Sequence, residues 1–185
     1  MRYFLSILVI TLCLAAKPAL FEEPAQTTIE WGKYHLLKWS DFKGVPENNS
    51  YFSAVSALYL QESHACDRYN GFEFEIKAMF DKEGSWSRNK KSLKLLRHEQ
   101  LHFDLTEFYA RKLRKRFEAL ENACMLPEYR IQEVVDEVFY DMVKAHESYD
   151  KMTKHGLVRE EQEHWRIFVR ERLNELDHYA SAQYR

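Results

Sequence analysis

The pattern of apolar and polar positions changes texture once along the chain. Between about Thr27 and Trp86 the apolar residues come in short runs broken by turn residues. Thr27-Thr28-Ile29-Glu30-Trp31 and the stretch from Tyr51 to Leu60 read as strands. The stretch from Phe72 to Phe80 keeps close to a two-residue period, the mark of a strand with one buried face. Between the first two, Trp39 to Asn49 reads as a loop. From about Ser92 onward the spacing becomes helical, with Leu, Glu, Lys and Arg abundant and Gly and Pro almost absent. Three helices are predicted, over about 90–122, 128–149 and 159–182, divided by Pro127 and by Thr153-Lys154-His155-Gly156. Strands first and helices after predict an α+β fold: a small N-terminal antiparallel sheet packed on a C-terminal bundle of about three helices.

Composition agrees with one such domain, over 27–182. The chain has 185 residues, 45% hydrophobic and 15% aromatic, enough for a real core. Its net charge of −2 offers no basic excess to neutralise a phosphate backbone, so nucleic acid is not an expected partner. The first residues alter the setting. Arg2 precedes an apolar run from Tyr3 to Ala16, of secretory-signal length and short for a membrane span. Residues 1–16 are therefore read as a signal peptide, and the mature protein as exported, periplasmic or secreted, with no stable membrane span. Export gives meaning to the cysteines. Cys13 departs with the signal, leaving Cys66 and Cys124 to form one disulfide in an oxidising compartment.

The chemistry lies in the first helix, where Arg97-His98-Glu99-Gln100-Leu101-His102-Phe103-Asp104 contains His-Glu-x-x-His. Positions i and i+4 share one helix face, so His98 and His102 can reach one metal ion, with Glu99 beside it as general base. With 8 His in the chain, the motif is expected by accident only about 0.04 times. The two histidines also interrupt an apolar stripe through Leu95, Leu105, Tyr109 and Leu113, so they point inward and need partners. Zinc is the expected ion, since neutral imidazoles suit it. A third ligand must come from elsewhere. Glu137, His146, Glu147, Asp150, His155 and His164 are the candidates, and residue chemistry leaves His155 and Asp150 open. Tyr149 is a candidate oxyanion donor or a buried aromatic. Trp39, Asp41 and Trp86 line a groove or pack the sheet, with packing favoured for both Trp. Arg111 to Arg116 is expected to form a solvated basic face.

Several blocks recur in fixed order: Trp39-Ser40-Asp41-Phe42-x-Gly44-x-Pro46, Ser85-Trp86, Leu95 to Asp104, and Tyr149-Asp150-x-x-Thr153-x-His155-Gly156. This pattern resembles a bacterial family of uncharacterised exported proteins described as predicted secreted zinc-dependent proteases. The resemblance covers about residues 27–176. It implies a zincin-like active-site helix and His155 as third ligand. Leu101 departs from it, standing where a small residue such as Gly is expected, and should alter packing without removing a ligand. The combined expectation is an exported zinc-dependent hydrolase acting on a peptide or protein substrate. The alternative is a non-catalytic exported domain braced by a structural metal or a His/carboxylate cluster.

Overall fold

A computed structural model describes residues 26–69 and 71–181. The expected signal peptide, residues 1–16, lies outside the described residues, as does the last residue of the third predicted helix. Three strands, β1 (Thr28–Glu30), β2 (Ala54–Asp67) and β3 (Gly71–Ser87), form an antiparallel sheet in the order β1-β3-β2. Three helices follow: α1 (Leu93–Glu118), α2 (Glu128–Thr153) and α3 (Arg159–Glu175). The architecture is the α+β one that the change of texture predicts.

The boundaries differ where tertiary pairing overrides local signals. β2 and β3 form one long hairpin, running past the expected ends at Leu60 and Phe80, because each extends the other's ladder as far as Asp67 opposite Gly71. The predicted loop at Trp39 contains a single 3-10 turn over Trp39–Asp41. α1 begins where the Ser92 side chain accepts the Leu95 N–H, a helix-starting cap that delays it from residue 90. α2 runs one turn further than predicted, and α3 stops at Glu175, followed by a 3-10 turn over Asp177–Tyr179. No helix among the described residues is long and apolar enough to cross a membrane.

α1 is the central element, lying between the sheet and the other two helices. Phe103, Leu105, Ala110 and Leu113 are fully buried, and Phe103 meets the Phe80 ring of β3 at 5.9 Å. Leu101 is buried in the same core, so its bulk is accommodated by packing between the helix faces. This position explains one correction. The Arg111–Arg116 cluster is not a solvated face, since only Lys115 and Arg116 are exposed. Arg111 and Arg114 are buried and share the buried carboxylate of Glu107, each at 2.9 Å. Arg111 also donates to Leu173 O, and Arg114 to Ile76 O and Tyr179 O. Charge at this end of α1 therefore ties the sheet and the end of α3 to the central helix.

Cys66 and Cys124 form the expected disulfide, with Cα atoms 5.6 Å apart and a sequence separation of 58. It fastens the tip of the hairpin to the connection after α1. Closing a loop of that length removes unfolded-chain entropy worth about 4 kcal/mol.

Candidate metal centre

The sequence motif and the α2–α3 connection meet in one cleft of about 580 Å³. His98 and His102, one turn apart on α1, are 2% and 9% exposed. Their Nε2 atoms lie 3.0 and 3.1 Å from the same oxygen, Asp150 Oδ1 near the end of α2. His155 reaches this oxygen too, with Nδ1 at 3.2 Å. Both third-ligand candidates are thus brought to the motif. The donor atoms of His98, Asp150 and His155 all lie within 4.8 Å of one another, and His102 joins them through the shared oxygen.

Helix termination is what aims His155. Lys154, His155 and Gly156 are consecutive left-handed residues, with φ of 49°, 54° and 79°. A left-handed residue costs an L-amino acid about 1–2 kcal/mol, so two non-glycine examples in succession mark a geometry held by its surroundings. Gly156 is required for a second reason. A Cβ there would stand 3.0 Å from the His98 Cβ, so glycine lets the connection lie against the histidine. The Phe52 ring, just before β2, packs edge-on against His155 at 5.2 Å.

The electrostatics of the cluster are unusual. Burial raises the Asp150 carboxyl, but hydrogen bonds from His102 and His98 outweigh it and hold the group well below the usual carboxylate range. Three ring nitrogens about 3 Å from one carboxylate oxygen need a hydrogen or a cation between each pair: an N–H from each ring, or one shared metal ion. Tetrahedral zinc with bonds of about 2.0–2.1 Å separates its donors by about 3.3 Å, so the nitrogen–oxygen spacings suit such an ion. Imidazole nitrogen and carboxylate oxygen are also the donor types that zinc accepts.

Glu99 is 4% exposed and lines the same cleft. Its Oε2 accepts the Ser56 hydroxyl at 2.7 Å. Ser56 owes its position to an irregularity in the hairpin. Val55 pairs with Trp86 and Ala57 with Asp81, so Ser56 alone faces residues 82–85 of β3. Ser85 holds this bulge by accepting the Ala57 N–H at 2.9 Å and donating to Asp81 O. Bulges of this kind turn a side chain out of the strand's regular alternation.

The remaining candidates separate clearly. His146 stacks on His102 and its Nδ1 lies 2.8 Å from His102 Nδ1, on the side away from Asp150. Burial, with His102 next, pushes its pKa down to about 3, so it is a neutral ring. Glu137 pairs with Arg116 and Glu147 with Lys144 at the surface, and His164 is solvated, as expected for a helix residue there. Tyr149 is fully buried; its hydroxyl donates to His98 O at 3.3 Å and accepts from Gln162, so it is not an oxyanion donor. Trp86 is buried, Trp39 packs on Phe42, and Asp41 accepts the Lys38 N–H, none of them lining the cleft.

Ser56, Thr106, Gln162 and Phe52 are absent from the sequence-based set. Thr106 was within reach, standing four residues after His102 on the same helix face. The other three join only through the fold. Gln100 and Asp104 of the motif do different work. Asp104 accepts the Trp31 indole N–H at 2.9 Å, and Gln100 bonds both Asp104 and the Leu37 N–H, binding the N-terminal segment to α1.

No curated protein and no solved structure matches the chain. Residues 76–156, which carry β3 from its middle, the His-Glu-x-x-His helix and the connection ending at Gly156, match the model of a bacterial family described as a protein of unknown function (DUF922).

Proposed function

We propose that this chain is an exported zinc-dependent hydrolase whose substrates are peptides or proteins. His98, His102 and His155 hold the ion, Asp150 contributes the compensating negative charge, and Glu99 is the general base. The observation that carries the reading is the convergence of three imidazoles from two separate segments on one point, with a buried, cleft-facing glutamate beside them. A site that only braces helices has no use for that glutamate. The cleft also runs beside the N-terminal end of β2, an edge strand, which supports an extended peptide as substrate.

When bound, a zinc ion supplies Lewis acidity, polarising the scissile carbonyl and lowering the pKa of water. Glu99 takes the proton from the attacking water and later returns it to the leaving amine. Ser56 holds Oε2 of that carboxylate, leaving Oε1 to face the reaction. The buried rings of His98 and His102 keep their donor atoms in place and exclude bulk water from the inner wall.

Zinc stoichiometry by mass spectrometry, measured beside cleavage of a broad peptide library, tests the reading. The parent should carry one zinc per chain. His98→Ala, His102→Ala and His155→Ala should lose it, because two remaining imidazoles hold an ion poorly. Glu99→Gln should retain zinc and fold while hydrolysis falls by about 10²–10⁴. Full zinc in His155→Ala with loss in Asp150→Ala would transfer the third-ligand role to Asp150. Undiminished cleavage by Glu99→Gln would end the mechanism.

A further inference from the structure

Both histidines of the motif are held from behind by hydrogen-bond circuits of the same design. His102 Nδ1 lies 2.8 Å from His146 Nδ1. His146 Nε2 lies 3.3 Å from the Thr106 hydroxyl, which in turn donates to the main-chain carbonyl of His102 at 3.0 Å. On the other side, His98 Nδ1 lies 3.2 Å from Gln162 Oε1. The Gln162 amide donates to the Tyr149 hydroxyl at 2.5 Å, and that hydroxyl donates to the main-chain carbonyl of His98 at 3.3 Å. Each circuit leaves a ring nitrogen and returns to the same residue's backbone.

The direction of every hydrogen follows from the closing hydroxyl. A hydroxyl has one hydrogen, and in both circuits the helix carbonyl takes it. Thr106 must then accept from His146, so His146 carries its hydrogen on Nε2 and leaves Nδ1 bare. A bare His146 Nδ1 accepts from His102, which places the His102 hydrogen on Nδ1. Likewise Tyr149 accepts from the Gln162 amide nitrogen, which turns Gln162 Oε1 toward His98 and requires a hydrogen on His98 Nδ1. In both neutral rings the lone pair is left on Nε2, the atom facing Asp150. A mistaken tautomer would aim an N–H at the ion instead.

We infer that Thr106 with His146, and Tyr149 with Gln162, are positioning residues that fix the donor tautomers of His102 and His98. The inference rests on the metal reading above and adds to it four residues outside the ligand set. None of the four reaches the metal point. Thr106 and Tyr149 are both fully buried, so their hydroxyls have no solvent to fall back on. Partners of this kind change metal affinity by about 10–100-fold in other sites.

Two nearly isosteric substitutions isolate the closing hydroxyls: Thr106→Val and Tyr149→Phe. Zinc affinity of the purified full chain is read by competition with a chromophoric chelator, and thermal stability of the metal-free forms is recorded in parallel. Each variant should bind zinc about tenfold or more weakly. Thr106→Ser, which keeps the hydroxyl, should restore parental affinity, whereas a role in packing alone would not be rescued by the smaller side chain. The double variant should lose affinity roughly additively, since the circuits act on different rings. Unchanged zinc affinity in both single variants would overturn the inference and leave the metal reading standing, as would a Thr106→Val loss that Ser fails to restore. A parent chain that binds no zinc would remove the metal reading and the inference with it.

Discussion

The two halves of α1 solve the same problem in opposite ways. Both bury charged or polar side chains on a central helix. Toward its C-terminal end, Glu107 is matched by Arg111 and Arg114; Arg111 also donates to Leu173 O and Asp177, and Arg114 to Ile76 O and Tyr179 O. Arg114 uses all three of its nitrogens in this way, and the cluster supplies its own counter-charge in Glu107. Toward the N-terminal end, His98 and His102 each point a ring nitrogen at one Asp150 oxygen beside an open cleft, and on the proposed reading a cation joins them there. Burial of charge is common to both. On the proposed reading, what distinguishes structure from candidate chemistry is whether a cluster supplies its own counter-charge or takes an added ion.

The comparison is sharpest under substitution. Glu107→Ala strands two buried guanidinium groups, so stability should fall by about 3–5 kcal/mol in chemical denaturation. The folded fraction should still bind zinc with parental affinity. At the other end, Asp150→Asn removes the charge favoured by its hydrogen bonds from His102 and His98, so it should destabilise the metal-free protein as well. The loss should be smaller than for Glu107→Ala, because Asp150 is partly exposed, and unlike Glu107→Ala it should also weaken zinc binding. Equal losses of stability from the two substitutions would erase the distinction between the regions.

Smaller effects test the margins of each region. Ser56→Ala removes one hydrogen bond to the Glu99 carboxylate and should lower kcat about tenfold with KM unchanged, since bonds to charged groups carry about 1.5–3 kcal/mol. A rise in KM alone would place Ser56 in substrate binding instead. The smallest effect belongs to His64, on β2 near the disulfide. Its Nδ1 meets Glu62 at 2.6 Å and its Nε2 meets Glu128 at 3.1 Å. The Glu62 hydrogen bond raises its pKa, with Glu128 adding to it against the cost of burial. A raised folded-state value means that the stabilisation is complete below about pH 6.5, the unfolded value, and is lost as pH rises through the higher folded value. His64→Gln should flatten that part of the stability–pH curve; an unchanged slope would dismiss the contribution.

The sequence carried the fold class and the two inward-facing helical histidines because both depend on local spacing. A two-residue alternation around Phe74 and a four-residue step from His98 to His102 are readable without neighbours. The disulfide followed from counting cysteines in a chain read as exported. Less legible was anything set by α1 being covered on all sides. The run from Arg111 to Arg116 has the composition of a solvated face, and only the packing of α3 and β3 over it turns two of its arginines inward. Asp150 and His155 could not be ranked from residue chemistry, and in the structure they touch the same motif. Ser56 depends on a bulge whose cause lies in β3, and Gln162 on the angle at which α3 returns to α1. Neither leaves a periodic trace.

The circuit behind His98 ends on Gln162, in the last of the three long helices, while that behind His102 uses residues of α1 and α2 alone. As the chain emerges from its N-terminus, His102 therefore acquires its backing before His98 does. The strands, the glutamate and both histidines of the motif are made well before the helix that completes their support. On the proposed reading, full grip on an ion would wait for the closing stage of folding, when α3 docks. A chain of this topology would, on that metal reading, take up its ion late in its own history, after the sheet and central helix have set the shape into which it must fit.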